Sequence, residues 1–380
     1  MTIHRERPIR YPFDGDNSDQ STFFMNPNAP DVLVNPMKLH RITDPKSIDE
    51  RLLSQALANG ASTLVLQFSK ESAYDTSILE DVNRACRSFG SRINVRFWGH
   101  YGGRFDCEHL RHLPDVRSLN LDCLTQISNA DELSHLQNLQ EFAFGVFDSD
   151  LPDLLRTESL LGLRKLILAP SRKNNIDLAP LASYRHLEDL SLCAQASKIE
   201  SIAHRDSVKR LFLSSIGRRQ SLSFVRTMKG LLSLSTMLGG RQDLKELAHE
   251  GIIHLEVLRV RGISEIDLAL FPSIEKLRIE DQMHLGTLNV SSSPHLRWLS
   301  IWNCKTFRDL QGSDAAEQLG YLFVGKTAIE PEDVLRRLPS GLKRLSLTGY
   351  GKRRTDELRS RIESMGYAPA VYMEDDRSVW

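Results

Sequence analysis

Apolar and polar residues along most of the chain follow one short pattern, apolar-x-x-apolar-x-apolar, which returns at intervals of 19 to 24 residues. The last two apolar positions of each copy are two residues apart, so they lie on one face of an extended strand and their neighbours lie on the other. The pattern therefore predicts eleven short strands, each with one apolar face. The copies start at Val116, Leu139, Leu163, Leu187, Val208, Leu231, Leu255, Ile274, Leu296, Leu319 and Leu342.

A short strand with a single apolar face cannot bury that face alone, but stacked copies form a parallel sheet over one continuous core. The intervals and the LxxLxL strand resemble those of leucine-rich repeat proteins, whose units span about 20–29 residues. The chain resembles the bacterial, intracellular type. The resemblance covers Val116 to about Tyr350. It implies an α/β fold: a right-handed leucine-rich repeat solenoid, arc-shaped, with a parallel β-sheet on the concave face and a helix-bearing N-terminal cap.

The turn after each strand departs from the family pattern. The family usually has Asn or Cys three residues after the last strand leucine, and only Cys304 fits here; Phe147, Gln195 and Gly239 are among the other occupants of that position. We therefore expect irregular turns of variable length. The copy that starts at Leu231 is the weakest, and we expect a distortion there.

The regions outside the repeats predict two caps. Residues 1–30 are polar and without periodicity, so we expect an extended or disordered segment. Residues 31–110 alternate helix and strand patterns: a helix that begins at Asp44-Pro45, a strand over 62–68, a helix from Asp75 or Thr76 to Gly90, and a strand over 92–98. We read them as an α/β N-terminal cap, residues 111–350 as the repeats, and residues 351–380 as a C-terminal cap with a helix over 355–365 and a strand over 370–373.

Composition narrows the class of partner. Lys+Arg 49 and Asp+Glu 49 give a formal net charge of +0, so the chain has no overall attraction for nucleic acid or for an anionic membrane. Five scattered cysteines form no disulfide framework, which favours a reducing, cytoplasmic location. No apolar run approaches the roughly 18 residues that a membrane-spanning helix needs, and no secretion-signal core is visible near the N-terminus. Export by a route that reads a polar N-terminus stays open.

Two segments suggest chemistry. Residues 320–327 match the GxxxxGK[ST] phosphate-binding motif, but the apolar residues within it belong to the tenth predicted strand, and the motif requires a loop followed at once by a helix. His100, Cys107, His109 and His112 could bind zinc, although their spacing matches no common zinc pattern. The remaining Ser, His and carboxylate residues do not form a recognisable catalytic sequence motif. We expect no enzyme activity, no cofactor and no metal; the alternative is a nucleotide-binding or enzymatic protein that uses residues 320–327.

The outward-facing positions of the later strands carry arginine and aromatic side chains. These residue types dominate protein–protein binding energy, and a contiguous exposed aromatic patch marks an interaction site. We predict that a protein partner binds this patch on the concave face, although the chain's own C-terminal segment or a loop could cover it instead. A groove for single-stranded nucleic acid is a further, weaker alternative because the net charge is balanced. The predicted partner-binding residues are Arg259, Arg261, Arg278, Trp298, Trp302, Tyr321 and Phe323.

Overall fold

The computed structural model describes residues 39–372. Within this range, fourteen strands form one parallel sheet in chain order, and β12 and β14 pair separately on the return side. The strands are β1 (Leu39–Thr43), β2 (Thr63–Phe68), β3 (Ile93–Asp106), β4 (Ser118–Ser128), β5 (Glu141–Val146), β6 (Lys165–Leu168), β7 (Asp189–Cys193), β8 (Arg210–Ser214), β9 (Ser233–Met237), β10 (His254–Leu258), β11 (Lys276–Glu280), β12 (Thr287–Asn289), β13 (Trp298–Trp302), β14 (Asp309–Gln311), β15 (Tyr321–Gly325) and β16 (Arg344–Thr348).

Within residues 39–372, four α-helices accompany the sheet, and short 3-10 helices fill much of the chain that returns from one strand to the next. The α-helices are α1 (Glu50–Ala58), α2 (Thr76–Phe89), α3 (Pro331–Leu335) and α4 (Lys352–Ser364). The 3-10 helices span Glu71–Ala73, Gly90–Arg92, Cys107–His112, Ala130–His135, Leu154–Arg156, Glu158–Gly162, Ala179–Ser183, Ile199–Ile202, Ser223–Thr227, Lys245–Leu247 and Leu268–Leu270.

The predicted apolar positions form continuous rows through the core. Leu277, Leu299, Leu322 and Leu345 are register partners on successive strands, and each is buried. A row of this kind gives every strand apolar contacts on both sides along the sheet, which is how strands that could not fold alone become stable. The repeat solenoid that the sequence predicts is therefore confirmed.

The prediction is wrong by three residues at β10. Leu255 pairs with Leu277 and Val257 with Ile279, so this repeat begins at Ile252 rather than at Leu255. Leu258 and Val260 repeat the apolar spacing three residues later, and both are buried, so the pattern fits two registers at this strand. With the corrected start, the neighbouring intervals become 21 and 22 residues, and the gaps of 24 and 19 disappear. The outward-facing residues of β10 are consequently His254, Glu256 and Leu258.

The turns after the main-sheet strands from β7 to β16 are regular, contrary to the expectation from the sequence. The second residue beyond the last inward-facing position has a positive φ each time, and in most of these turns its N–H donates to the strand that follows in the sheet, as Asn303 does to the carbonyl of Gly325 at 2.9 Å. These residues are Ala194, Ser215, Leu238, Arg259, Asp281, Asn303, Lys326 and Gly349. One shared backbone bend thus replaces the conserved asparagine that the family uses.

The N-terminal part of the described chain continues the same sheet. Asp75 caps α2 by accepting from the backbone N–H of Ile78, and Gly90 ends it with φ 61°, as predicted. Asp44 does not begin the first helix: its carboxylate accepts from the N–H of Ser69 at 2.8 Å, and Asp49 caps α1 instead. Strands β1 to β3 join the repeat strands in one sheet. That residues 31–110 act as an N-terminal cap stays a proposal. Residues 1–30 lie outside the described range.

A helix and a short strap follow the last strand and pack against the last repeats. Leu358 and Ile362 of α4 are buried against the last repeats. The chain then turns at Gly366, and Ala368 makes a single bridge to Arg344 at the edge of β16. Residues 370–372 form no strand, and residue 373 lies outside the described range. We call residues 368–372 the C-terminal strap.

Candidate functional site

The face of the sheet opposite the leucine rows, which we call the concave face, carries the candidate site. Alternation along each strand sends every second side chain to this face. On β13 these are Trp298, Ser300 and Trp302, while Leu299 and Ile301 are fully buried on the other side. The two tryptophans thus lie opposite the leucine core, where the repeat pattern predicts them.

Aromatic side chains on β13 and β15 form a compact cluster. The rings of Trp298 and Tyr321 stack with centroids 5.1 Å apart and planes at 17°. Trp298 is 3% exposed, Tyr321 0% and Phe323 4%, so these three side chains are not accessible in this structure. Only Trp302 of the four predicted aromatic residues is partly exposed.

The C-terminal strap covers this cluster. Tyr372 packs on Trp302 and Phe323, with ring centroids 4.8 and 5.6 Å apart, and Ala370 is buried beside them. The hydroxyl of Tyr321 donates to the carbonyl of Val371. The open aromatic patch expected from the sequence is therefore corrected: the chain's own C-terminal segment covers it, which is the alternative that the sequence left open.

Buried charged groups meet the hydroxyl of Tyr372. That hydroxyl donates to Glu280 at 2.5 Å and accepts from Arg278 at 3.2 Å, and Arg278 also donates to Glu280 at 2.6 Å. Glu256 on β10 completes the set at 3.4 Å from Arg278. Burial raises the pKa of the Tyr372 hydroxyl well above its ordinary value, so this group is protonated at neutral pH and able to donate. We call Arg278, Glu280, Trp302 and Phe323 the tyrosine cage.

The remaining predicted residues lie at the rim. Because of the register of β10, Arg259 and Arg261 follow the strand instead of standing on it. Arg259 pairs with Asp281 at 2.8 Å, and both arginines are exposed. Lys326 lies over the ring of Trp302 with its Nζ 4.6 Å from the centroid, a cation–π contact.

Gly325 makes room for Trp302. A Cβ atom at Gly325 would lie 2.5 Å from the tryptophan ring and 2.7 Å from Thr348. A side chain at this position would push the indole off the sheet, since real Cβ atoms do not approach other atoms so closely. The glycine therefore leaves room for the indole of Trp302, which contacts both Lys326 and Tyr372.

A second feature of the concave face is an apolar cavity of about 430 Å³ over β4 to β6. Small outward-facing residues, Ala143, Gly145 and Ala169, leave this volume unfilled, and Tyr101 stands exposed at its edge. The run of small outward-facing residues on neighbouring strands is the signal of this cavity in the sequence. The lining comprises Tyr101, Asp122, Cys123, Leu124, Thr125, Ala143, Phe144, Gly145, Phe147, Ile167, Ala169, Pro170 and Ser171.

A buried ion pair supports the floor of the cavity. The guanidinium of Arg96 on β3 donates to Asp122 on β4 at 2.7 Å and to Gln67 on β2 at 3.1 Å. Both side chains of the pair are almost fully buried. Burial raises the pKa of the Asp122 carboxyl more than the neighbouring Arg96 lowers it. Three adjacent strands are thereby held together on the concave side.

The two segments that suggested chemistry lie in regular structure. Residues 321–325 are strand β15, with Leu322 and Val324 in the core, so this segment is not the open loop that binds phosphate. His100 is buried and bonds to the Tyr74 hydroxyl at 3.0 Å, and Cys107 is buried in the core. Over residues 39–372, no group of three or more His, Cys, Asp or Glu side chains is arranged to bind a metal ion.

The same range contains no helix that is both long and apolar enough to span a membrane. All five cysteines are free thiols. Burial raises the pKa of Cys86, Cys107, Cys193 and Cys304 to about 12, so these thiols are poor nucleophiles at neutral pH.

Comparison with known proteins shows a likeness of fold. No protein-family model matches the chain, and no curated protein matches it in sequence. Among solved structures, an internalin from Listeria monocytogenes is similar over 85% of this chain and 89% of its own, with 17% identity and a TM-score of 0.50. A leucine-rich repeat protein from Leptospira interrogans is similar over 90% of this chain and 98% of its own, with 13% identity and a TM-score of 0.38. The parallel sheet, the leucine rows and the likeness to the internalin show that the chain has the leucine-rich repeat solenoid fold.

Proposed function

We propose that this protein is a non-catalytic module that binds a protein partner through its concave face. The observation that carries the proposal is the pairing of two anchor features on one sheet: the apolar cavity over β4 to β6, and the partly exposed Trp302 on β13. A cavity receives an apolar side chain of a partner, and an accessible tryptophan supplies binding energy at a second point. With strands about 4.8 Å apart, the two features are on the order of 30 Å apart.

The predicted partner-binding residues divide into two groups under this proposal. Trp302, Arg259 and Arg261 are accessible with the C-terminal strap in place. Arg278, Trp298, Tyr321 and Phe323 are buried and contact a partner only when the strap is displaced. Arginine and aromatic residues in such a setting are typical of binding hot spots.

Two chemical properties of the chain support a cytoplasmic location and a protein partner in this proposal. Five free thiols fit a reducing, cytoplasmic location, and a formal net charge of +0 favours a protein partner over nucleic acid or a membrane surface. The bacterial, intracellular type stays a prediction.

Two variants test the proposed function by partner capture from cells of the source organism. Ala169→Trp fills the cavity and Trp302→Ala removes the exposed anchor, so each should reduce the captured partner at least tenfold while the protein stays folded. Leu52→Ala is the matched control, because Leu52 is an exposed apolar residue on α1, away from the concave face. Capture of the same partner at the same level by all three variants would contradict a concave-face site.

A further inference from the structure

We propose that the tyrosine cage is a recognition site for a tyrosine side chain on an extended segment of the partner, and that the C-terminal strap occupies it in the free protein. This inference rests on the proposed function and adds the chemistry of the partner. Tyr372 is the residue that fills the cage in the structure, and it shows what kind of side chain fits.

The receptor side is built on rigid strands. Arg278 and Glu280 stand on β11, Trp302 on β13 and Phe323 on β15. Glu256, which accepts from the Ser235 hydroxyl at 2.7 Å, orients Arg278 from the neighbouring strand. These contacts do not involve Tyr372, so the cage is organised before a ligand enters.

The cage recognises a hydroxyl as well as a ring. A cap needs only apolar cover, yet here a buried carboxylate and a buried guanidinium both contact the phenol oxygen. A phenylalanine would remove one donor from the buried Glu280 carboxylate and one acceptor from Arg278, and an unmade bond to a buried charged group is costly. The charged pair therefore selects tyrosine over phenylalanine.

The strap shows how the rest of a ligand would lie. Ala368 exchanges backbone hydrogen bonds with the edge of the sheet, donating to Lys343 at 3.1 Å and accepting from Leu345 at 3.0 Å. The N–H of Ala370 donates to the Ser346 hydroxyl at 3.1 Å. An extended partner segment can add to the same edge, with small residues two and four positions before its tyrosine.

The strap has a point about which it can turn away from the sheet. Gly366, with φ 91°, separates it from α4, and Val371 is exposed. An attached segment competes at an effective concentration in the millimolar range. A free peptide should therefore bind poorly to the intact protein and well once Tyr372 is removed.

The experiment uses the full chain and a synthetic peptide, APAVYM, which copies residues 368–373. Calorimetric titration should show binding to Tyr372→Ala at least tenfold tighter than to the wild type. A peptide with phenylalanine in place of tyrosine should bind Tyr372→Ala about tenfold more weakly, because it lacks the hydroxyl. Val371→Ala is the matched control: it keeps Tyr372 and should behave like the wild type.

The outcomes separate this inference from the proposed function. If Tyr372→Ala does not bind the peptide but the wild type still captures its partner, the inference fails and the proposed function stands. If the peptide binds but no partner is captured through the concave face, the proposed function fails. Wild-type dimers that exchange straps would make a second copy the ligand and overturn the assignment to another protein.

A milder variant covers the case in which Tyr372→Ala does not fold. Tyr372→Phe keeps the ring and loses only the hydroxyl bonds, so amide hydrogen exchange at residues 368–372 should become several-fold faster than in the wild type. Unchanged exchange there would show that the charged pair does not read the hydroxyl, and would overturn the inference.

Discussion

Arg96 shows how one residue on the concave face can matter more for stability than its surface position suggests. Its guanidinium is 1% exposed and joins β2, β3 and β4 through Gln67 and Asp122. A buried ion pair adds little compared with an apolar pair of the same volume, but loss of one partner leaves an uncompensated charge in the interior.

Replacement of Arg96 by Met should therefore lower the free energy of unfolding by about 3–5 kcal/mol, measured by urea denaturation. Arg104→Met is the control, because Arg104 is exposed and its guanidinium bonds to Gln126 at 3.3 Å. A second change, Asp122→Asn in the Arg96→Met background, should recover part of the loss by removing the orphaned charge. A loss below about 1 kcal/mol for Arg96→Met would place the pair among weak surface contacts.

At the scale of the structural elements, buried side-chain amides stabilise some of the turns that follow the strands. Gln282 is fully buried at the turn position where the family has asparagine, and its Nε2 donates to the carbonyls of Val257 at 3.1 Å and Glu280 at 2.8 Å. Gln195 makes a similar bond to Ala169. A longer amide thus performs the task of the missing asparagine, and this is one reason why the turns stay regular.

Gln282→Ala should cost about 1–3 kcal/mol, because the carbonyl of Val257 loses this donor, whereas that of Glu280 keeps the N–H of Arg259. Thermal and urea denaturation would measure the change. Gln311→Ala is the comparison, since Gln311 is exposed and bonds to the neighbouring Asp309 side chain. Equal stability of the two variants would mean that water replaces the buried amide without penalty.

The elements also show what a sequence can predict. Leu299 and Ile301 were assigned to the core because alternation and repeat spacing agree there. The register of β10 was missed because Leu258 and Val260 offer a second apolar pattern three residues away. The sequence offers the cover over Tyr321 only as an alternative, because Val371 lies fifty residues farther along the chain and belongs to no repeat. The sequence does not predict the cavity, because small outward-facing side chains alone do not show whether another side chain fills the space beside them.

At the scale of the whole molecule, each repeat contacts mainly its neighbours, so the stability of the end depends on its cap. Ile362 of α4 is 2% exposed and seals the core beyond β16. Substitutions here should loosen the C-terminal repeats before the N-terminal strands, because no single centre of packing joins them.

Ile362→Ala should lower stability by about 2–5 kcal/mol through loss of buried volume. Amide hydrogen exchange should accelerate first in β15 and β16, with β2 to β4 nearly unchanged. Ser364→Ala, an exposed change on the same helix, should leave both rates as they are. Uniform acceleration along the sheet would indicate a single cooperative unit instead.

The register of the strands has a consequence for partner geometry. Six strands of the main sheet separate β5, at the centre of the cavity, from β13, which carries Trp302. Each repeat contributes one strand, so each repeat between the two anchors adds about 4.8 Å to the distance between them. Gain or loss of one repeat between the cavity and Trp302 during evolution would change the distance that a partner bound at both anchors must span, without altering either anchor.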